Sequence, residues 1–415
     1  MELSLRQALS YLALSDSHSD ERITAWERRY ALPCADRRAG KEILGRIEAE
    51  VREIPLPLLS TSEQSQRGKS FRPVTRIQME QGISNHPRAK RILSHFPGAK
   101  IQEIRHYKDA FRRGADQSDS APEAGETGQG RTLILAEKKG TLLYPGAPVC
   151  QSFGNRYFYY ASQIMNCIYD CEYCFLKGMY PSDALVVFLN LEDYFAELEA
   201  LLKAHPVYLC LSYDTDLLAL ESWTSFLREW NVFIKEHPAL SVEIRTKCAA
   251  TGFFEEQSPS ENLIFAYTLS PEPVARTYEH SAPTLASRMA AANAAMKKGF
   301  PVRLCFDPVL YCADWKKIYG AFLDEVMETL DLSCVKDVSA GVFRISHGYL
   351  RQMRKKAPES AVAQYPYRNE RGVACYDPGL EEEIHRFFVE KLTKKIGNEK
   401  IFWWKSQENC DKVET

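Results

Sequence analysis

The sequence predicts an α/β protein: a partial parallel (β/α)6 barrel between an N-terminal helical and basic lobe and a C-terminal cap. Three observations lead there. Six apolar, strand-like runs follow one another at residues 157–164, 207–211, 241–246, 263–269, 302–306 and 338–345. Helical periodicity fills the gaps, at residues 191–203, 223–236, 285–298 and 315–330. Most of the runs are apolar throughout rather than alternating, as in strands buried on both faces of a parallel sheet. In barrels of this kind the chemistry gathers at the C-terminal ends of the strands.

The elements divide the chain into four expected parts. Residues 1–70 form a helical extension, with apolar residues three and four apart at 3–14 and 38–51 and with Pro55 and Pro57 ending the pattern. Residues 71–150 form a basic α/β lobe. Residues 67–113 hold twelve Lys and Arg against three acids, a net of +9 that suits a phosphate-binding face. Residues 114–130 lack large apolar side chains and read as a mobile acidic loop. Residues 132–136 and 141–144, joined at Lys139-Gly140, read as strand, turn, strand. Residues 151–350 carry the barrel, whose first long helix starts behind Asn190 with Asp193 three residues on, a partial capping box. Residues 351–415 form a hairpin and helix cap.

Composition narrows the function classes. With 415 residues, 53 basic against 55 acidic and a net charge of −2, the chain has ordinary globular values. These values give no case for global nucleic-acid affinity, although a local patch is still allowed. Twelve cysteines are too sparse for a disulfide scaffold. The start lacks a secretory apolar core, and no run approaches the roughly 18 apolar residues of a membrane span. The expectation is a cytoplasmic protein whose reduced thiols are free to bind metal.

Three of those thiols lie within eight residues, in Cys167-Ile-Tyr-Asp-Cys171-Glu-Tyr-Cys174, directly after the first barrel run. A loop this short cannot easily bury three thiols in apolar surroundings, so they point to a shared metal. Zinc prefers four ligands and commonly uses two separated pairs. Here Cys210 and Cys248 stand isolated on later strands, where they read as small buried hydrophobes. A cubane iron–sulfur cluster on three thiolates would instead leave one iron open to a ligand.

The C-x3-C-x2-C spacing with Tyr173 before the last Cys resembles the radical S-adenosylmethionine enzymes. The flanking residues 162–180 are similar to the spore photoproduct lyase family within that group. Further matches follow in order: Asp214-Thr215-Asp216, Arg245-Thr246-Lys247 with Lys247 31 residues after Asp216, Tyr267-Thr268-Leu269, Arg288, Phe306-Asp307-Pro308 and Tyr376-Asp377-Pro378. The resemblance spans roughly residues 71–404. It implies a [4Fe–4S] cluster on Cys167, Cys171 and Cys174. It also implies S-adenosylmethionine held by Tyr173, Thr215, Asp216, Lys247 and Thr268, with a flavodoxin- or ferredoxin-like electron donor. The substrate it implies is a thymine-dimer lesion in DNA, with the basic stretch contacting phosphates.

Some residues depart from the family pattern. Where the family carries a hydrogen-donating Cys, this chain has Tyr213, whose O–H is able to serve. Where the family often has Tyr after the last cluster Cys, this chain has Phe175. The region 365–376, where the family wedges DNA open, holds Tyr367, Arg368, Glu370 and Arg371. The expected catalytic residues are Tyr213 and Tyr173. Cys210, three residues before Tyr213, is expected on the opposite strand face. Three functions follow as hypotheses: a DNA-lesion lyase, a family enzyme acting on a different nucleotide or peptide, and a non-catalytic zinc-binding nucleic-acid binder.

Overall fold

The computed structural model describes residues 5–15, 20–22, 47, 49–60, 72–109, 130–146 and 150–404. The expected loop at 114–130 lies outside the described residues except for Gly130, as do Arg67, Lys69, Arg112 and Arg113 of the basic stretch.

The strands in chain order are β1 (Val74–Glu80), β2 (Lys100–Ile104), β3 (Arg131–Ala136), β4 (Leu143–Pro145), β5 (Phe158–Ala161), β6 (Ile164–Met165), β7 (Asp170–Cys171), β8 (Leu185–Phe188) and β9 (Val207–Cys210). They continue with β10 (Leu240–Thr246), β11 (Leu263–Thr268), β12 (Glu279–His280), β13 (Val302–Val309), β14 (Val335–Val342), β15 (Arg344–Ser346), β16 (Arg368–Glu370), β17 (Val373–Cys375) and β18 (Ile401–Trp403).

The main sheet runs β18-β14-β13-β11-β10-β9-β5-β4. Every neighbouring pair from β5 to β18 is parallel, and β4 closes the edge antiparallel to β5. All six expected barrel runs are in it. The seventh parallel strand, β18, is only three residues long, too short for periodicity to reveal. Strands β9 and β11 are buried at every position, which explains their largely apolar sequence, whereas β10 alternates and carries Glu243 and Arg245 to the cavity. Helices pack on the outside, Phe226–Glu236 and Leu285–Lys297 among them. The expected helix over 223–236 is broken at Ser225, whose φ of 55° ends one short helix and starts the next. Asn190 precedes the Leu191–Leu202 helix without capping it, because its side-chain oxygen accepts from the Lys138 backbone N–H at 2.9 Å.

A second sheet, β2-β1-β3-β8-β6, forms the lobe. The strand, turn, strand reading of residues 132–144 holds, but the two strands do not pair with each other. β3 pairs with β1 and β8, whereas β4 pairs with β5 in the other sheet. The Lys139-Gly140 turn therefore passes between sheets; Gly140 has φ 85°, so the turn itself is real. The apolar run of β8 borders β3, so the lobe sheet draws on the chain after the cysteine motif.

The N-terminal helix, Leu5–Ser15, is anchored to the C-terminal cap. Tyr11 is fully buried edge-on against Tyr365 at 5.2 Å, and its hydroxyl donates to the Ile54 carbonyl at 3.0 Å. In the cap, β16 and β17 form a hairpin whose two turn residues, Arg371 and Gly372, both have positive φ, as a tight two-residue turn requires. Tyr367 is buried against Phe343, Tyr365 and Tyr376, so it is not free to wedge into a duplex; Arg368 and Arg371 are exposed. No helix among the described residues is long and apolar enough to cross a membrane.

Candidate active site

The cysteine loop is built by short pairings at the top of the main sheet. After β5, Ser162 bridges to Ser212 beyond β9, and β6 turns the chain onto β8. Arg131 donates to the Cys167 carbonyl at 2.8 Å, fixing the start of the motif. β7 then pairs antiparallel with β12, which places Cys171 opposite Glu279. The Cys174 N–H closes a turn onto the Cys171 carbonyl at 3.1 Å. Three residues alternating with two are thus held in a compact turn. The helix Leu176–Met179 follows it.

Gly178 in that helix faces the backbone of Tyr349, where any Cβ would collide with the Tyr349 carbonyl. This close approach seats helix His347–Lys356 against the cysteine loop, with Lys356 donating to the Lys177 carbonyl at 3.0 Å. Gly178→Val is expected to destabilise the protein by about 1–3 kcal/mol through overpacking, read by urea unfolding. Unchanged stability would show that the two helices are free to separate.

Around the loop is a cavity of about 280 Å³. Its wall takes residues from the C-terminal ends of β9, β10, β11 and β13 and from Phe343 directly after β14, where parallel barrels place their chemistry. Cys167, Cys171, Cys174, Tyr173, Tyr213, Thr215, Asp216, Lys247 and Thr268 all line it, so every expected site residue reaches one space.

Their roles differ. Thr215 is 7% exposed, and its buried hydroxyl has no hydrogen-bond partner among the described residues, so it is available to a ligand. Asp216 is instead largely satisfied by the protein. It accepts from Thr246 Oγ1 at 2.8 Å, the Lys247 N–H at 2.6 Å and the Ala219 N–H at 3.1 Å. It thereby ties the β9 loop to the end of β10 and sets the position of Lys247. The Lys247 ammonium lies 5.4 Å from the centre of the Tyr173 ring. Burial opposes its charge, but Cys171 and Glu279 nearby hold its pKa above the ordinary lysine value. Thr268 is buried and its carbonyl accepts from Arg288 at 3.2 Å.

Glu279 is the residue that sequence reasoning missed. It is fully desolvated, accepts from the Tyr173 hydroxyl and from Ser270 at 2.8 Å, and pairs with Arg288. Burial pushes against its charge, but Arg288 and Lys247 prevail and hold its carboxyl down to about 2. Only Arg288 was signalled by the sequence; Glu279 comes from a β12 too short to show a pattern.

Cys210 also lines the cavity, which corrects its expected placement on the opposite face from Tyr213. β9 ends at Cys210, so the period-two alternation does not carry through to Tyr213. Cys248 is buried and is absent from the cavity wall. Cys150, which no motif singled out, does line it.

The donor set suits a cluster: three thiols of one loop line one cavity, and a cubane takes one thiolate per iron and leaves an iron open to a ligand. Burial raises all three thiols, Cys171 to about 12, so loading a metal centre must release protons. The orphaned Thr215 hydroxyl and the Lys247 ammonium in the same cavity suit a small ligand with polar and carboxylate groups.

The basic stretch is partly structural. Arg88 is buried and bridges Glu192 and Glu229, Arg91 also pairs with Glu229, and Arg72 pairs with Asp183. Arg76, Lys90, Lys100, Arg105 and Lys108 are exposed.

A family model described as spore photoproduct lyase matches residues 158–368. The curated spore photoproduct lyase of Clostridium acetobutylicum is 21% identical over 338 residues, covering 76% of this chain and 94% of that protein. Among solved structures, spore photoproduct lyase complexed with dinucleoside spore photoproduct superposes with a TM-score of 0.65 at 16% identity, over 80% of this chain and 99% of the other. A double mutant of spore photoproduct lyase with bound AdoMet and dinucleoside spore photoproduct gives 0.63 at the same identity and coverage. At this identity the superpositions establish the shared fold.

Proposed function

Because the chain belongs to the spore photoproduct lyase family, we propose that it is a radical S-adenosylmethionine enzyme acting on a thymine-dimer lesion of DNA. The observation that carries this is the convergence of Cys167, Cys171 and Cys174 with Lys247, Thr215 and Tyr173 on one cavity. When bound, a [4Fe–4S] cluster and S-adenosylmethionine supply a 5′-deoxyadenosyl radical.

The chain's own residues bind and orient. Cys167, Cys171 and Cys174 hold the cluster. Lys247 offers its charge to the cosubstrate carboxylate, and Thr215 offers its unpartnered hydroxyl to the amino group. Asp216 positions Lys247 through the backbone. Thr268 provides a further hydroxyl. Tyr173 packs beneath the Lys247 ammonium, its own hydroxyl tethered by Glu279. The lesion takes the remaining side of the cavity, beside Tyr213. The electron donor is a small low-potential protein of the flavodoxin or ferredoxin kind, and the compartment is the cytoplasm.

The exposed cations of the lobe serve phosphate contacts. Arg76 and Lys100 are register partners on β1 and β2. Like charges set side by side repel, and a phosphate relieves the repulsion. Replacing both with Ala is expected to weaken DNA binding and lower the log–log salt slope by about 2, one per lost contact. A slope unchanged in fluorescence titrations would remove these residues from the DNA face.

The test of function is anaerobic. Reduced, reconstituted protein is given S-adenosylmethionine and dinucleoside spore photoproduct. The expected products are 5′-deoxyadenosine and restored thymine. Formation of 5′-deoxyadenosine without thymine would overturn the lesion as substrate and keep the radical chemistry.

A further inference from the structure

From the cavity wall a row of aromatic rings runs to the edge of the main sheet. It starts at Tyr213, which lines the cavity. The Tyr160 ring lies 4.4 Å from it, and Tyr144 stacks on Tyr160 with ring centres 5.2 Å and planes 19° apart. Rings so placed are offset, which leaves part of each face open. Tyr160 and Tyr144 are register partners on β5 and β4, and β4 is the edge strand of the sheet. Both are only partly buried. Cross-strand pairing alone would account for two stacked rings. It does not account for what lies next to them.

The Lys138 ammonium lies 4.8 Å from the centre of the Tyr144 ring and 5.5 Å from that of Phe188, on β8 of the lobe. It makes no hydrogen bond or ion pair among the described residues, although Lys138 is 8% exposed. The carboxylates that act on it are taken up elsewhere. Asp214 accepts from the Ser162 and Tyr180 hydroxyls, and Glu197 accepts the Leu143 N–H at 3.3 Å. Burial therefore prevails over them and lowers the Lys138 pKa to about 8. The row continues into the lobe. Tyr107 meets Phe188 edge-on at 5.1 Å, and the Lys108 ammonium lies 5.8 Å from the Tyr107 ring. Lys108 and Arg105 are exposed. Rings interleaved with cations, leading from a cavity to a basic surface, match the way proteins hold an unpaired nucleic-acid strand, with rings for bases and cations for phosphates.

We propose that this row is a subsite for single-stranded DNA beside the lesion, with a flanking base on the Tyr144–Tyr160 pair and its phosphate at Lys138. This rests on DNA as the substrate proposed above. A lesion that enters the cavity has left the duplex stack, so the nucleotides next to it lose their partners. The rings take the place of those partners. Stacking accepts any base, because every base has a π-face, so the subsite selects an unpaired strand and not a sequence. A phosphate at Lys138 supplies the anion that the protein itself withholds. Arg105 and Lys108 then carry the strand onto the lobe.

Titration of the full chain with a fluorescein-labelled single-stranded oligothymidylate, read by anisotropy, tests this without turnover. Tyr144→Ala and Tyr160→Ala are each expected to weaken binding at least about fivefold, and Tyr144→Phe, which keeps the ring, to bind as the wild type does. A duplex of the same length should be weakened less by Tyr144→Ala. Lys138→Gln is expected to lower the log–log salt slope by about 1. This variant leaves both rings in place, so it tests the subsite even if the alanine variants unfold. Tyr157→Ala removes a partly buried ring that stacks on His205 just before β5, and it is expected to leave binding unchanged. Unchanged binding in both alanine variants, an equal loss in Tyr144→Phe or Tyr157→Ala, an equal loss on the duplex, or an unchanged salt slope in Lys138→Gln overturns the subsite alone. No binding of single strand or duplex by the wild type overturns DNA as the substrate and the subsite with it.

Discussion

Cys171→Ala is expected to reduce 5′-deoxyadenosine formation to background, a loss of more than about 10³-fold or some 4 kcal/mol in barrier. Cys171 is the middle motif thiol and the best fixed. It lies in β7, paired with β12, and its carbonyl accepts the Cys174 N–H. Alanine keeps both backbone pairings, since neither uses the side chain, so folding is expected to survive. The loss should therefore accompany loss of iron and not loss of secondary structure. Iron content, far-ultraviolet circular dichroism and 5′-deoxyadenosine on one sample separate these. Full turnover with an unaltered iron count would remove Cys171 from the metal site.

Glu279→Gln is expected to have the largest effect on stability. The Glu279 and Arg288 side chains are at most 1% exposed, and a third group, the Tyr173 hydroxyl, depends on the same carboxylate. Removing the negative charge leaves Arg288 buried without its counter-ion, a change that costs about 3–5 kcal/mol. The pH dependence has a definite sign. The folded carboxyl is depressed to about 2 from an ordinary value of 4.5. Its contribution is therefore fully present above about pH 4.5 and is lost as pH falls towards 2. Urea unfolding from pH 7 to pH 3 should show the wild type losing stability in that window and the variant losing less. The variant should also bind S-adenosylmethionine more weakly, because Tyr173 and Lys247 lose the group that places them. Equal stability of the two proteins at pH 7 would show that the cavity wall does not depend on this ion pair.

Much of the fold was legible because its strands are buried on both faces. Six largely apolar runs marked β5, β9, β10, β11, β13 and β14, and four of the five gaps between them carried a helical period. Legibility failed where burial or length gave no pattern. β1 and β2 are exposed at several positions and carry Arg76 and Lys100, so their charge hid their pairing. β8 is as apolar as the barrel strands yet belongs to the lobe sheet. No local feature of Leu185–Phe188 distinguishes the two destinations. The Lys139-Gly140 turn was legible but not its destination, because a turn signal is local and strand pairing is not.

The site divides in the same way. Cys167, Cys171 and Cys174 sit in one loop, so their spacing exposes them. Lys247, Thr215, Asp216 and Thr268 stand at strand ends that periodicity can locate. Glu279 reaches the cavity through a two-residue strand, and Cys150 from a segment before the first barrel strand. Neither has a spacing to be recognised by. The fate of Cys210 shows how exact the strand end has to be.

The central claim is that three thiols of one loop hold a cubane cluster that serves S-adenosylmethionine. Metal and sulfide analysis of the anaerobically purified protein, with 5′-deoxyadenosine assayed on the same sample under reduction, tests it most directly. The expected result is about four irons and four sulfides per chain, with 5′-deoxyadenosine formed. About one zinc per chain, with no sulfide and no 5′-deoxyadenosine, would contradict it.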